Sequence, residues 1–219
     1  MKKINFTALV VAGFLSLPVS STALDLSDNS QQRLHDLQQR WATVNYELKD
    51  DAQEKAFEQL VADAQQWVTQ EPNSAPAHIW LGIIKSTYAG VKGGLGALSL
   101  AKESRKSLQK ALDLEPTALD GSAYASLGTL YYKVPGWPFG FGDEDKAQEL
   151  LEQALTINPD GIDPNYFYAD YWFEQGDYIK AENYANKALA AAPRPERPLA
   201  DEFRREEIKQ LLVRIKGEK

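Results

Sequence analysis

Four heptapeptides that end in proline recur along this chain: QWVTQEP at Gln66–Pro72, KALDLEP at Lys110–Pro116, QALTINP at Gln153–Pro159 and KALAAAP at Lys187–Pro193. Each reads as the last turn of a helix followed by a proline that cannot continue it. The prolines are spaced by 44, 43 and 34 residues. Thirty-four residues is the length of one helix–turn–helix unit, and such a unit cannot bury its apolar face alone. The two longer intervals are the same unit with about ten residues added. The spacing therefore predicts an all-α solenoid of about four helix pairs.

The positions between the prolines support this. In the third unit Tyr124, Leu127, Gly128 and Tyr131 form one face of the first helix, and Ala147, Leu151 and Ala154 one face of the second. In the fourth, Tyr168, Ala169 and Trp172 precede a turn at Gly176, and Ala181, Ala185 and Ala188 follow it. Small residues let neighbouring helices approach, and large ones fill the remaining gaps. The second unit offers Leu81, Gly82, Leu108 and Ala111. The first offers Trp41, Val44 and Leu48, then Leu60, Ala64 and Trp67. After a proline-rich break at Arg194–Pro198, the apolar residues Leu199, Phe203, Leu211, Leu212 and Ile215 mark residues 199–219 as a capping helix. A solenoid needs such a cap to cover its last apolar face. Mixed charge argues against a membrane-surface helix there.

The N-terminus reads as a secretory leader over residues 1–23: Lys2 and Lys3, an uncharged apolar run from Ile4 to Val19, then Ser21-Thr22-Ala23. The run is short for a membrane span. Residues 24–198 then form the repeat domain. The formal net charge of −7 becomes about −9 once the two lysines are removed. That balance argues against nucleic acid and against an anionic membrane surface. There is no cysteine, which excludes disulfides, thiolate chemistry and an N-terminal lipid. The expectation is a periplasmic or secreted protein that is not a lipoprotein and has no stable membrane insertion after leader cleavage.

The two longer units carry their extra residues between the helices, at 86–100 and 133–146, and long loops in compact folds are often functional. The first is glycine-rich, but Lys92 precedes the glycines and Ala97 follows Gly96, so it is not a phosphate loop. The second holds Trp137, Phe139 and Phe141. Those rings either fold back on the body or present an adhesive surface. Asp143-Glu144-Asp145 suits a helix start better than a calcium site, with Asp143 as the cap.

Thirteen of the 23 aromatic residues lie between Tyr131 and Tyr184, more than one core-facing stripe can use. With Tyr168 and Trp172 in packing positions, Tyr132, Tyr166 and Phe173, with Asp170 between the last two, fall on the groove side of successive first helices. They either form a binding groove with Trp137, Phe139 and Phe141 or cover the C-terminal cap or the second insertion. Catalysis finds little support: His35 and His78 are the only histidines, and no Gly-x-Ser-x-Gly or His-x-x-x-His occurs. No cofactor, metal site or catalytic residue is expected.

From Ala111 to Pro193 the chain resembles tetratricopeptide repeat proteins, whose fold is a right-handed helical solenoid. Leu119-Asp120-Gly121-Ser122-Ala123, Val134-Pro135-Gly136-Trp137-Pro138, Gly140-Phe141-Gly142-Asp143 and Asn165-Tyr166-Phe167-Tyr168 further resemble the periplasmic T-component proteins associated with TRAP transporters. The first resemblance implies a non-enzymatic scaffold that holds a protein or peptide in its groove. The second implies an accessory of solute uptake, often oligomeric, that binds a small apolar solute or works with a solute-binding protein. This chain departs from the second pattern in lacking a lipidation cysteine.

Overall fold

The computed structural model describes residues 27–218, and the leader expected over 1–23 lies outside them. The described residues form nine helices: α1 (Asp28–Tyr46), α2 (Asp50–Gln70), α3 (Ala75–Lys92), α4 (Gly94–Leu114), α5 (Ala118–Lys133), α6 (Glu144–Ile157), α7 (Ile162–Glu174), α8 (Tyr178–Ala190) and α9 (Pro198–Glu218). The second helix of every pair stops two or three residues before its proline, at Gln70, Leu114, Ile157 and Ala190. Side-chain caps start four helices: Ser27, Ser74, Asp143 and Asp177 accept the N–H groups of Ser30, Ala77, Lys146 and Lys180. The acidic triplet therefore begins α6, as its sequence suggests.

The pairs pack as the repeat pattern requires. Ala147, Leu151, Ala154, Ala181, Ala185 and Ala188 are fully buried. A Cβ on Gly128 would lie 2.8 Å from Leu151 Cγ, and one on Gly82 would lie 2.6 Å from Leu108 Cγ. Both glycines thus sit where the two helices of a pair come closest. The first unit is equally well formed, with Trp41, Val44, Leu60, Ala64 and Trp67 all in the core.

The first insertion is not a loop. Residues 86–100 extend α3 and α4, and only Gly93 and Gly94, with φ of 63° and 55°, turn the chain between them. The added turns have their own packing: Tyr88 stacks on Phe57 at 5.7 Å, and Ala101 is buried. Only the second insertion leaves the helices. There the Asp143 N–H donates to Tyr131 O at 2.9 Å, and the Gly142 N–H donates to Pro135 O at 3.0 Å. A Cβ on Gly142 would meet Val134 O at 1.9 Å, so no other residue fits this closure.

α9 does more than cap the last pair. It packs on α8 and α7 and also returns to α1. Phe203 stacks on Tyr46 with ring centroids 4.6 Å apart and planes within 4°. Gln39 Nε2 donates to Glu196 O at 2.8 Å. The superhelix is thereby closed from its last helix to its first, and a space is enclosed on the inner side.

Candidate functional site

That space is a cavity of about 1250 Å³, walled by α1, α3, α5 and α7 and completed by α4, the 134–139 segment and α9. Its apolar surface comes from Trp41, Tyr46, Trp80, Ile83, Leu130 and Phe167 among others, interrupted by hydroxyls such as Ser86, Ser126 and Thr129. α5 contributes along its whole length. Its first turn is left-handed, with Leu119, Asp120 and Gly121 at φ 48°, 54° and 74°, so the regular helix starts at Ser122. Gly121 there packs on Ile157, where an added Cβ would approach Cδ1 to 3.0 Å.

Three arginines stand at the end of the cavity nearest the start of α7. Asp163 accepts from Arg194 Nη1 at 2.6 Å and from Arg204 Nε at 2.9 Å, and lies 3.9 Å from Arg197 Nη1. Asp201 accepts the backbone N–H and Nε of Arg194, both at 2.7 Å, and Glu207 accepts from Arg204 Nη1 at 2.6 Å. Burial works to raise the Asp163 pKa, but Arg204, Arg194 and Arg197 outweigh it and hold the carboxyl well below its ordinary range. Burial lowers the Arg197 pKa, and Asp163 only partly opposes the effect. Arg197 also lies 5.4 Å from the Trp80 ring. The cluster ties the start of α7 to the 194–197 segment and to α9, so it latches the cap onto the last repeat.

The residues singled out by sequence do not converge on one surface. Trp137 and Phe139 project from the second insertion, 90% and 78% exposed, and Phe139 also borders the cavity. Phe141 folds back, edge-on to Tyr131 at 5.6 Å and beneath the Arg105 guanidinium at 4.2 Å. Tyr132 donates to Asp170 Oδ2 at 2.8 Å, and Lys133 pairs with the same oxygen at 2.8 Å. Burial, reinforced by the Asp170 charge, pushes the Tyr132 pKa well up. Tyr166 and Phe173 lie in the cluster formed by α7, α8 and α9, under Arg204 at 4.4 Å and Arg214 at 4.2 Å. Burial, opposed by Arg204, brings the Tyr166 pKa to about 12. These two rings cover the cap rather than line the cavity.

Residues 139–200 match the family model of the tetratricopeptide repeat. The fold is a tetratricopeptide solenoid. TTC0263, a thermophilic TPR protein in Thermus thermophilus, is similar over 84% of this chain and 98% of its own, with 17% identity and a TM-score of 0.56. MamA is similar over 78% of this chain and 95% of its own, with 18% identity and a TM-score of 0.45. No curated protein matches the chain. Tetratricopeptide solenoids are protein-interaction scaffolds, typically without catalysis of their own, and bind along concave surfaces. Among the described residues no helix is long and apolar enough to cross a membrane.

The cavity walls Trp41, Tyr46, Trp80 and Phe167, and the arginines of the latch, were not among the site residues expected from sequence, where Trp41 read only as packing. Arg194 and Arg197 in the proline-rich break, with Arg204 one helical face further on, carried the available signal. Their common partner Asp163 lies 31 residues before Arg194, and the antiparallel packing of α7 and α8 brings the two together.

Proposed function

We propose that this protein is an exported, non-catalytic tetratricopeptide scaffold that holds an extended segment of a protein or peptide partner in its inner cavity. The observation that carries the reading is the cavity itself. It is larger than the roughly 300–1,000 Å³ of ordinary small-molecule pockets. It follows the regular part of α5, whose eleven-residue rise from Ser122 to Lys133 is about 17 Å. An extended chain covers that length in about five residues. Export rests on the leader pattern of residues 1–23. Phe139 at the rim, with Trp137 beside it, offers apolar contacts to the part of the partner outside.

A photo-crosslinking residue at Ser126 on the cavity wall, compared with one at the exposed Asn186 of α8, tests this. Adducts with a polypeptide from Ser126 and not from Asn186 are expected. No polypeptide adduct from Ser126 in cells that export the protein refutes it. A second reading, a transporter accessory that carries a small apolar solute, draws support from the apolar lining of the cavity. It predicts that Ser126 labels only a small molecule.

A further inference from the structure

We infer that the cavity takes a basic apolar segment of a partner chain, one that alternates apolar side chains with lysine or arginine; this rests on the reading of the cavity as a peptide groove. Four cations line the cavity, and neighbouring carboxylates offset their charge: Asp170 that of Lys133, and Asp163, Asp201 and Glu207 together that of the three arginines, although the buried Arg197 Nε makes no hydrogen bond. Lys133 pairs with Asp170 at 2.8 Å, Arg194 with Asp163 and Asp201 at 2.6 Å, Arg204 with Asp163 at 2.9 Å, and Arg197 with Asp163 at 3.9 Å. Three carboxylates on the same wall, Asp120, Asp160 and Glu196, have no hydrogen bond or ion pair of their own among the described residues. The uncompensated charge of the site is therefore negative.

The three belong to separate segments. Asp120 sits in the left-handed first turn of α5, and Asp160 lies in the α6–α7 connection. Glu196 lies in the break before α9, held by the bond from Gln39 to its carbonyl. Single exposed carboxylates attract little, but charges at the mouth of a cleft with low-dielectric walls focus the field into it. The chain's net charge of −7 adds to that field. An acidic or C-terminal carboxylate occupant would meet arginines already neutralised and three carboxylates that are not. A basic one meets the reverse, and its apolar side chains reach the partly exposed Tyr46, Ile83 and Phe167.

The test is calorimetric titration of the folded protein with three acetylated, amidated hexapeptides in which leucine alternates with lysine, glutamine or glutamate. Asp120→Asn/Asp160→Asn/Glu196→Gln removes the free charge, and asparagine tolerates the left-handed backbone at 120. Ser126→Trp puts an indole ring on the α5 wall and obstructs the path along it, with Thr129→Phe in its place should that variant fail to fold. The lysine peptide is expected to bind one-to-one, at least about tenfold more tightly than the glutamate peptide, with the preference falling below about threefold in the triple variant. Ser126→Trp is expected to abolish binding. Equal affinity for the three peptides, with binding still lost in Ser126→Trp, overturns the basic partner and leaves the groove. Unchanged binding in Ser126→Trp overturns the groove as well. Binding of octylamine with the same mutational dependence, and of none of the peptides, overturns a peptide as the occupant.

Discussion

Asp163→Asn should loosen the latch that holds α9 and the 194–197 segment on α7. The substitution keeps size and one acceptor oxygen but removes the charge shared by Arg194, Arg204 and Arg197 at 2.6, 2.9 and 3.9 Å. Three guanidinium groups are then left with Asp201 and Glu207. Removing one partner of a buried ion pair costs about 3–5 kcal/mol. The Asp163 side chain keeps 24% of its accessible surface, so solvent screening places the cost at the lower end, about 3 kcal/mol. With a urea slope of about 2 kcal/mol/M, the unfolding midpoint falls by about 1.5 M. The native pKa of Asp163 is depressed, so its contribution is complete above the unfolded value of about 3.9 and is lost as pH falls through the lower native value. Wild-type stability should therefore drop on acidification below about pH 4, and the variant should lose less over the same range. Urea unfolding at pH 7 and across pH 2–5, with the exposed Asp145→Asn as control, reads both effects. A loss under about 1 kcal/mol at pH 7, or an acid slope equal to that of wild type, refutes the latch.

Other substitutions separate packing from surface. Gly128→Ala forces a methyl to within 2.8 Å of Leu151 Cγ and 3.2 Å of Ala147 O, and should cost about 1–3 kcal/mol, seen as a fall of several degrees in Tm. Phe203→Ala removes the stack on Tyr46, about 1 kcal/mol beyond the lost area, and hydrogen exchange should quicken in α1 and α9 together; faster exchange in α9 alone would mean that the ring closes by other contacts. Trp137→Ala should leave stability within about 0.5 kcal/mol, because the ring is 90% exposed, while weakening capture of a partner about tenfold or more. Intact mass of the exported protein should begin at Leu24, and retention of Met1 would remove the leader from the reading.

The repeat architecture was legible because it rests on local chemistry. A proline after the second helix, alanines where two helices meet, and Gly82 and Gly128 opposite Leu108 and Leu151 are short-range requirements that leave a periodic trace. Asp143 announced its own role as a cap for the same reason. The first insertion misled because glycine count stood in for backbone geometry: Gly90 and Gly96 are helical, and only Gly93 and Gly94 use their freedom. Nothing in residues 86–100 alone says that Tyr88 has Phe57 to stack on.

The candidate site was hardest to read because it is made by ring closure, which is a property of the whole superhelix. Periodicity puts Tyr166 and Phe173 on the inner face of α7, and an open solenoid would leave them there for a ligand. α9 crosses that face instead, and Arg204 and Arg214 cover the two rings. The same crossing carries Phe203 to Tyr46 and Arg204 to Asp163, and so bounds a cavity against Trp41, Trp80 and Phe167, residues that each unit shows only as ordinary core aromatics. Trp41 illustrates the limit. Its position in the first unit predicts packing, and it is indeed buried, edge-on to Trp80 at 6.0 Å, with its Nε1 donating to Thr87 at 3.1 Å. That Trp41, Trp80 and Thr87 also border a cavity follows from the arrival of a helix that starts more than 100 residues later in the chain.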